Sequence, residues 1–231
     1  MRRTLTTLLA MAGAMSTAAF AADRAIKVSD RLDASAATLT DLMRAFDKGI
    51  PQDLVDKARC IIVVPGMKKA GFILGADYGR GFAVCRRMGG SGWSAPAAIV
   101  AEGGSVGFQL GGTETDVVLL VMNEGGMNHL LSDKFTVGGD AAAAAGPVGR
   151  DASARTDAVM HAEILSYSRS RGLFAGISLE GATIRPDRDT DRELYGREAS
   201  NREILTGNFK YPAVAENFER TLNRTSAERS R

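Results

Sequence analysis

Between Cys60 and Met122 the chain is a series of short apolar runs cut by glycines and turn residues, a pattern that builds strands rather than long helices. Cys60-Ile-Ile-Val-Val64 is a continuous β-branched stretch ended by Pro65-Gly66. Gly71 to Ala76 and Gly79 to Arg87 read as two strands around an Asp77-Tyr78 turn. Ala97 to Ala101, Ser105 to Leu110 and Asp116 to Met122 read as three more, punctuated by Gly103-Gly104 and Gly111-Gly112. Strands this close in sequence pair antiparallel, because a parallel crossover needs a dozen or more residues. Glycines inside strands mark bulges and strong curvature. The expected fold class is therefore α+β: a curved, mostly antiparallel, glycine-rich sheet or partial barrel flanked by N-terminal and C-terminal helices.

The helices are read from a change of period. Val28, Leu32, Ala36, Leu39, Met43 and Phe46 recur at helical spacing, and Gly49 stops them. Pro51 can open a short second helix through Ala58. Gly126 to Leu131 reads as another, and Phe135 to Ala145 holds room for a further strand. Ala158 to Ser168 and Leu173 to Ile184 read as a closing strand pair. After Pro186 the chain turns polar and helical, with a final helix from Pro212 to Leu222 whose inward face carries Val214, Phe218 and Leu222.

The N-terminus reads as an export signal. Arg2 and Arg3 precede an uncharged apolar stretch, and Ala19-Phe20-Ala21 fits the small-x-small cleavage pattern. The paired arginines leave the Sec and twin-arginine routes both open. The expected organisation is a cleavable signal over 1–21, one domain over 22–223 and a polar tail over 224–231. The expected location is the periplasm, with peripheral attachment to the envelope membrane. Removing Arg2 and Arg3 takes the formal net charge from +2 to zero, so no global field draws the chain to nucleic acid. In an oxidising compartment Cys60 and Cys85 either bridge or remain buried thiols, and the sequence leaves both open.

Motifs for catalysis are incomplete. Gly103-Gly104-Ser105-Val106-Gly107 matches G-x-S-x-G, yet Val106, Phe108 and Leu110 alternate as a strand where the elbow requires a helix. A serine hydrolase using Ser105 is thus a lesser alternative. No G-K-[ST] or G-x-G-x-x-G opens a helix, so no nucleotide loop is expected. His161-Ala162-Glu163 lacks the cysteine pair of a zinc deaminase. Asp187, Asp189, Asp191 and Glu198 follow calcium-loop spacing, but Arg192 replaces the required glycine, and Asp187 suits a helix cap better. No catalytic residue, metal or cofactor is assigned.

Two features suit a membrane surface. The first is the amphipathic helix near the N-terminus, whose basic residues are balanced by Asp30, Asp33, Asp41 and Asp47, so that packing on its own sheet is expected. The second is a local basic cluster, Lys68, Lys69, Arg80, Arg86 and Arg87, at the ends of adjacent expected strands. Hairpin pairing would gather these side chains at one edge to hold phosphate head groups.

Lys69 to Gly79, Gly92-Trp-Ser-Ala-Pro96 and Ser105 to Gly111 occur in an order that resembles the SYLF-domain family. Asp116 to Asn123, Phe135 to Asp140, Gly146 to Arg150, Tyr167 to Gly176, Gly181 and Tyr195-Gly196 continue the resemblance. It implies non-enzymatic binding of anionic, phosphoinositide-like phospholipids. Eukaryotic members are associated with phosphoinositide membranes and, in fungi, with actin. An exported bacterial chain is expected to meet phospholipid and no actin. The alternative is an envelope structural or stress protein acting through protein partners.

Overall fold

The computed structural model describes residues 28–43, 49–71, 74–87, 92–106, 113–148, 161–170, 173–176 and 179–226. The expected export signal lies outside them. Helix α1 spans 28–43. Its Val28, Leu32, Ala36, Leu39 and Leu42 are buried three or four residues apart, so one stripe faces the sheet, as the periodicity predicts. Helix α2 (Gln52–Lys57) follows Pro51.

The sheet begins with β1 (Cys60–Gly71), β2 (Leu74–Cys85), β3 (Ala97–Val106) and β4 (Thr113–Val121). After α3 (Glu124–Leu130) come β5 (Phe135–Thr136), β6 (Ala143–Ala145), β7 (Ile164–Ser170), β8 (Leu173–Gly176) and β9 (Thr183–Pro186). Helices α4 (Arg188–Tyr195) and α5 (Asn201–Thr206), a 3-10 turn (Ala213–Ala215) and α6 (Glu216–Ser226) close the chain. The strands form one nine-stranded sheet in the order β5-β9-β3-β2-β1-β4-β7-β6, with β8 also on β7. Pairing is antiparallel except for β6 on β7. The sheet is strongly curled into an open half-barrel, in agreement with the expected α+β class.

Both faces of this sheet are covered, which explains the unbroken apolar run at Cys60. Cys60, Ile62 and Val64 face a core with Leu119, Ile99, Leu130, Ile204 and Leu205. Ile61 and Val63 face the opposite core, with α1, Leu54, Trp93, Phe218 and Leu222. Val214, expected on the inward face of the last helix, is exposed instead, because it sits in the 3-10 turn before α6. The polar tail expected from residue 224 starts later. Helix α6 continues to Ser226, whose hydroxyl accepts from Trp93 Nε1 at 3.1 Å.

The β1–β2 hairpin differs most from the expectation. Pro65-Gly66 does not end β1, and Asp77-Tyr78 is not a turn: both lie inside long strands. From Val63 to Lys68 is five steps, while the partners Phe82 to Tyr78 span four, so β1 carries a one-residue bulge. Gly66 takes the left-handed conformation there, with φ +57°. Its N–H donates to Asp116 Oδ1 at 2.9 Å. Asp116 is also held by Arg169, which reaches Asp41 of α1, so one arginine ties helix, bulge and two strands together. The closing strands also differ. Residues 173–184 form two strands, with β8 on β7 and β9 between β3 and β5.

At the other end of the hairpin, Cys60 faces Cys85 and the two form a disulfide, so the bridge is the alternative realised. In the chain-entropy model, closing a loop of this size stabilises by about 3 kcal/mol.

Candidate functional site

The disulfide marks the end of the sheet where β1 starts and β2 and β4 stop. Each strand continues into a residue that faces one cleft of about 730 Å³. Arg59 precedes β1, Arg86 and Arg87 follow β2, and Met122 follows β4. Main-chain bonds fix these positions: Arg59 N–H donates to Val121 O at 2.8 Å, and Arg86 N–H donates to Arg59 O at 2.8 Å. Helix α2 adds Asp56 and Lys57, α3 adds Glu124 and Met127, and α5 adds Arg202.

Arg86 is part of the wall. Its Nε donates to Ala58 O at 3.0 Å and its Nη2 to Val55 O at 3.1 Å, which satisfies carbonyls at the end of α2. Its guanidinium lies 4.4 Å from the centre of the Trp93 ring, a cation–π contact that fixes the plane of the fork. Arg87 donates through Nε to Trp93 O at 2.9 Å and is otherwise exposed. Arg59 pairs with Glu124 at 3.2 Å. Arg87 and Arg202 form no ion pair among the described residues. Five cationic side chains thus surround an apolar floor of Met122, Met127 and Leu131, against two carboxylates, Asp56 and Glu124. Such a cleft can hold an anionic group beside a hydrocarbon surface.

The five basic residues singled out in the sequence do not share one edge. Arg86 and Arg87 line the cleft. Lys68 pairs with Tyr78 and Lys69 with Asp77, in the half of the hairpin beyond the bulge. That places them eight or nine residues from Cys60, roughly 25 Å along the strand. Lys68 is exposed, and the Lys69 side chain lies outside the described set. Arg80 is engaged elsewhere: its Nη2 donates to Asp187 Oδ1 at 3.1 Å. Lys57, Arg59 and Arg202 join the cleft unannounced, because α2 and α5 are far from the β1–β2 hairpin in sequence. The usable signal was the cysteine pair, since a Cys60–Cys85 bridge sets Arg59 beside Arg86.

The remaining motifs take structural positions. Asp187 caps α4, accepting from Thr190 N–H. Asp191 is buried and accepts from Ala98 N–H at 2.7 Å. Burial pushes its carboxyl up to about 7, with Asp187 adding to the rise and the Ala98 N–H opposing it. Asp189 turns to Arg192. These aspartates serve helix and sheet rather than one common centre. Ser105 lies inside β3, paired with Gly75.

A family model described as "Las17-binding protein actin regulator" matches residues 102–225. An SH3 domain-containing protein of Schizosaccharomyces pombe is 36% identical over 177 residues, covering 75% of this chain and 41% of that protein. Protein YSC84 of Saccharomyces cerevisiae is 34% identical over 179 residues, covering 76% of this chain and 38% of its own length. The SH3 domain-containing YSC84-like protein 1 of Rattus norvegicus is 35% identical over 178 residues, covering 77% and 52%. The chain thus spans about half or less of the curated relatives it matches. These names correct one expectation. Dismissing actin on the ground of export does not stand against a family described as actin regulators. The match over residues 102–225, together with these relatives, places the chain in the Ysc84 family, the SYLF-domain family that its motifs resemble.

Proposed function

We propose that this domain is a non-enzymatic binding module whose arginine cleft takes the head group of an anionic phospholipid at a membrane surface. The observation that carries this reading is the cleft itself. Lys57, Arg59, Arg86, Arg87 and Arg202 ring a methionine and leucine floor, so charge and grease are offered side by side. The sequence signs of export point the same way, toward the periplasm and its membranes. No described helix is long and apolar enough to cross a membrane, so contact at the surface is the mode this reading requires.

A second reading rests on the family description: the domain binds a protein of the actin-regulatory kind. Sedimentation separates the two. The purified chain is expected to pellet with vesicles containing anionic phospholipid, to remain in solution with zwitterionic vesicles, and to release as salt is raised. Pelleting with filamentous actin and not with either vesicle would favour the second reading.

A further inference from the structure

The cleft is not empty of anions: α3 places one of its own inside it. We infer that Glu124 is an internal competitor of the ligand, its carboxylate holding Arg59 until a phosphate group displaces it. The inference rests on the phosphate-binding reading above and assigns the residue that regulates it.

The argument starts from position. Glu124 is the first residue of α3, and the Asn123 side chain caps that helix by accepting from Gly126 N–H. Met122 N–H donates to Glu163 O at 2.8 Å, which anchors the segment entering the helix. The carboxylate is thereby presented on a fixed stem at the mouth of the cleft. Its partner Arg59 is equally fixed, since its main chain is bonded on both sides to neighbouring strands. Their contact at 3.2 Å is solvated, with the two side chains 50% and 77% exposed. A pair this exposed is weak and exchanges readily. The other cleft carboxylate, Asp56, is engaged by Gln52 Nε2 at 3.1 Å.

The chemistry of the displacing group follows. Arg59 already has a monovalent carboxylate, so a second carboxylate gains little there. A phosphate brings up to two charges and three acceptor oxygens, enough to take the Arg59 fork and meet Arg87 and Arg202 as well. The pair therefore sets a threshold that favours phosphate over carboxylate ligands. Phosphate on a lipid and phosphate in solution share this chemistry.

The test titrates wild type, Glu124→Gln, and Glu124→Gln in an Arg59→Ala background with anionic phospholipid vesicles and, separately, with inorganic phosphate. Asp133→Asn, which removes an equally exposed charge outside the cleft, serves as the control. Glu124→Gln should bind about threefold to fivefold more tightly. The gain should vanish in the Arg59→Ala background, and the control should lack it. A gain with both ligands assigns the effect to the phosphate group alone, and a gain with vesicles only assigns it to the lipid head group. Unchanged or weaker binding by Glu124→Gln overturns the inference, as does a gain that survives Arg59→Ala or appears equally in Asp133→Asn. Failure of the wild type to bind either probe is a different result: it removes the phosphate-binding reading itself.

Discussion

Gly81→Ala should lower the thermal midpoint of the domain by roughly 10 °C, an expected cost of about 3 kcal/mol or more. The reason is a backbone crossing that admits no side chain. A Cβ at Gly81 would sit 1.9 Å from Val63 O and 2.9 Å from Val64 Cα. Two residues earlier, a Cβ at Gly79 would sit 2.5 Å from Val64 Cγ1. These contacts fall where β1 runs toward its bulge, so the two glycines let β1 press onto β2 as the sheet curls. Neither atom at Gly81 is the end of a flexible side chain, so relief requires the strands to separate. Gly139→Ala is the control, because its Cβ would meet nothing closer than 3.4 Å and its backbone is ordinary. That variant should melt with the wild type. Equal midpoints for Gly81→Ala and wild type would remove the crossing from the account.

The second large effect is on binding. Charge reversal of Arg87 and Arg202 together should weaken attachment to anionic vesicles by at least about 100-fold, since each basic residue near an anionic surface contributes about 1 kcal/mol and reversal counts twice. Both side chains are exposed and neither carries an ion pair among the described residues, so the fold should be untouched. Arg86 is a poor probe, because its fork also holds Ala58 O, Val55 O and the Trp93 ring. Reversal of Lys68 and Lys69 supplies the contrast. They lie beyond the bulge, far along the hairpin from the cleft, and their reversal should cost no more than the general loss of surface charge. An equal loss from the lysine pair would move the site to the distal hairpin.

Much of the architecture was legible because burial leaves a period in the sequence. The α1 stripe from Val28 to Leu39 and the unbroken run from Cys60 to Val64 are each explained by the faces they cover. The hairpin was misread for a physical reason. Gly79 and Pro65-Gly66 look like turn chemistry, yet here they serve a bulge and a close crossing inside long strands. Glycine announces a backbone constraint without saying which kind. The site was half legible for a similar reason. Arg86 and Arg87 stand out as a local pair, whereas Lys57, Arg59 and Arg202 converge on them only through sheet order and the packing of α2 and α5. Local sequence cannot supply that convergence.

Hydrogen exchange on the protein bound to anionic vesicles addresses the main claim most directly. The cleft account predicts slowed exchange at residues 57–59, 86–87, 122–131 and 202–206, with the outer half of the β1–β2 hairpin unchanged. Slowing confined to the segment around Lys68 and Glu114, or absent from the cleft while the protein remains on the vesicle, would contradict it.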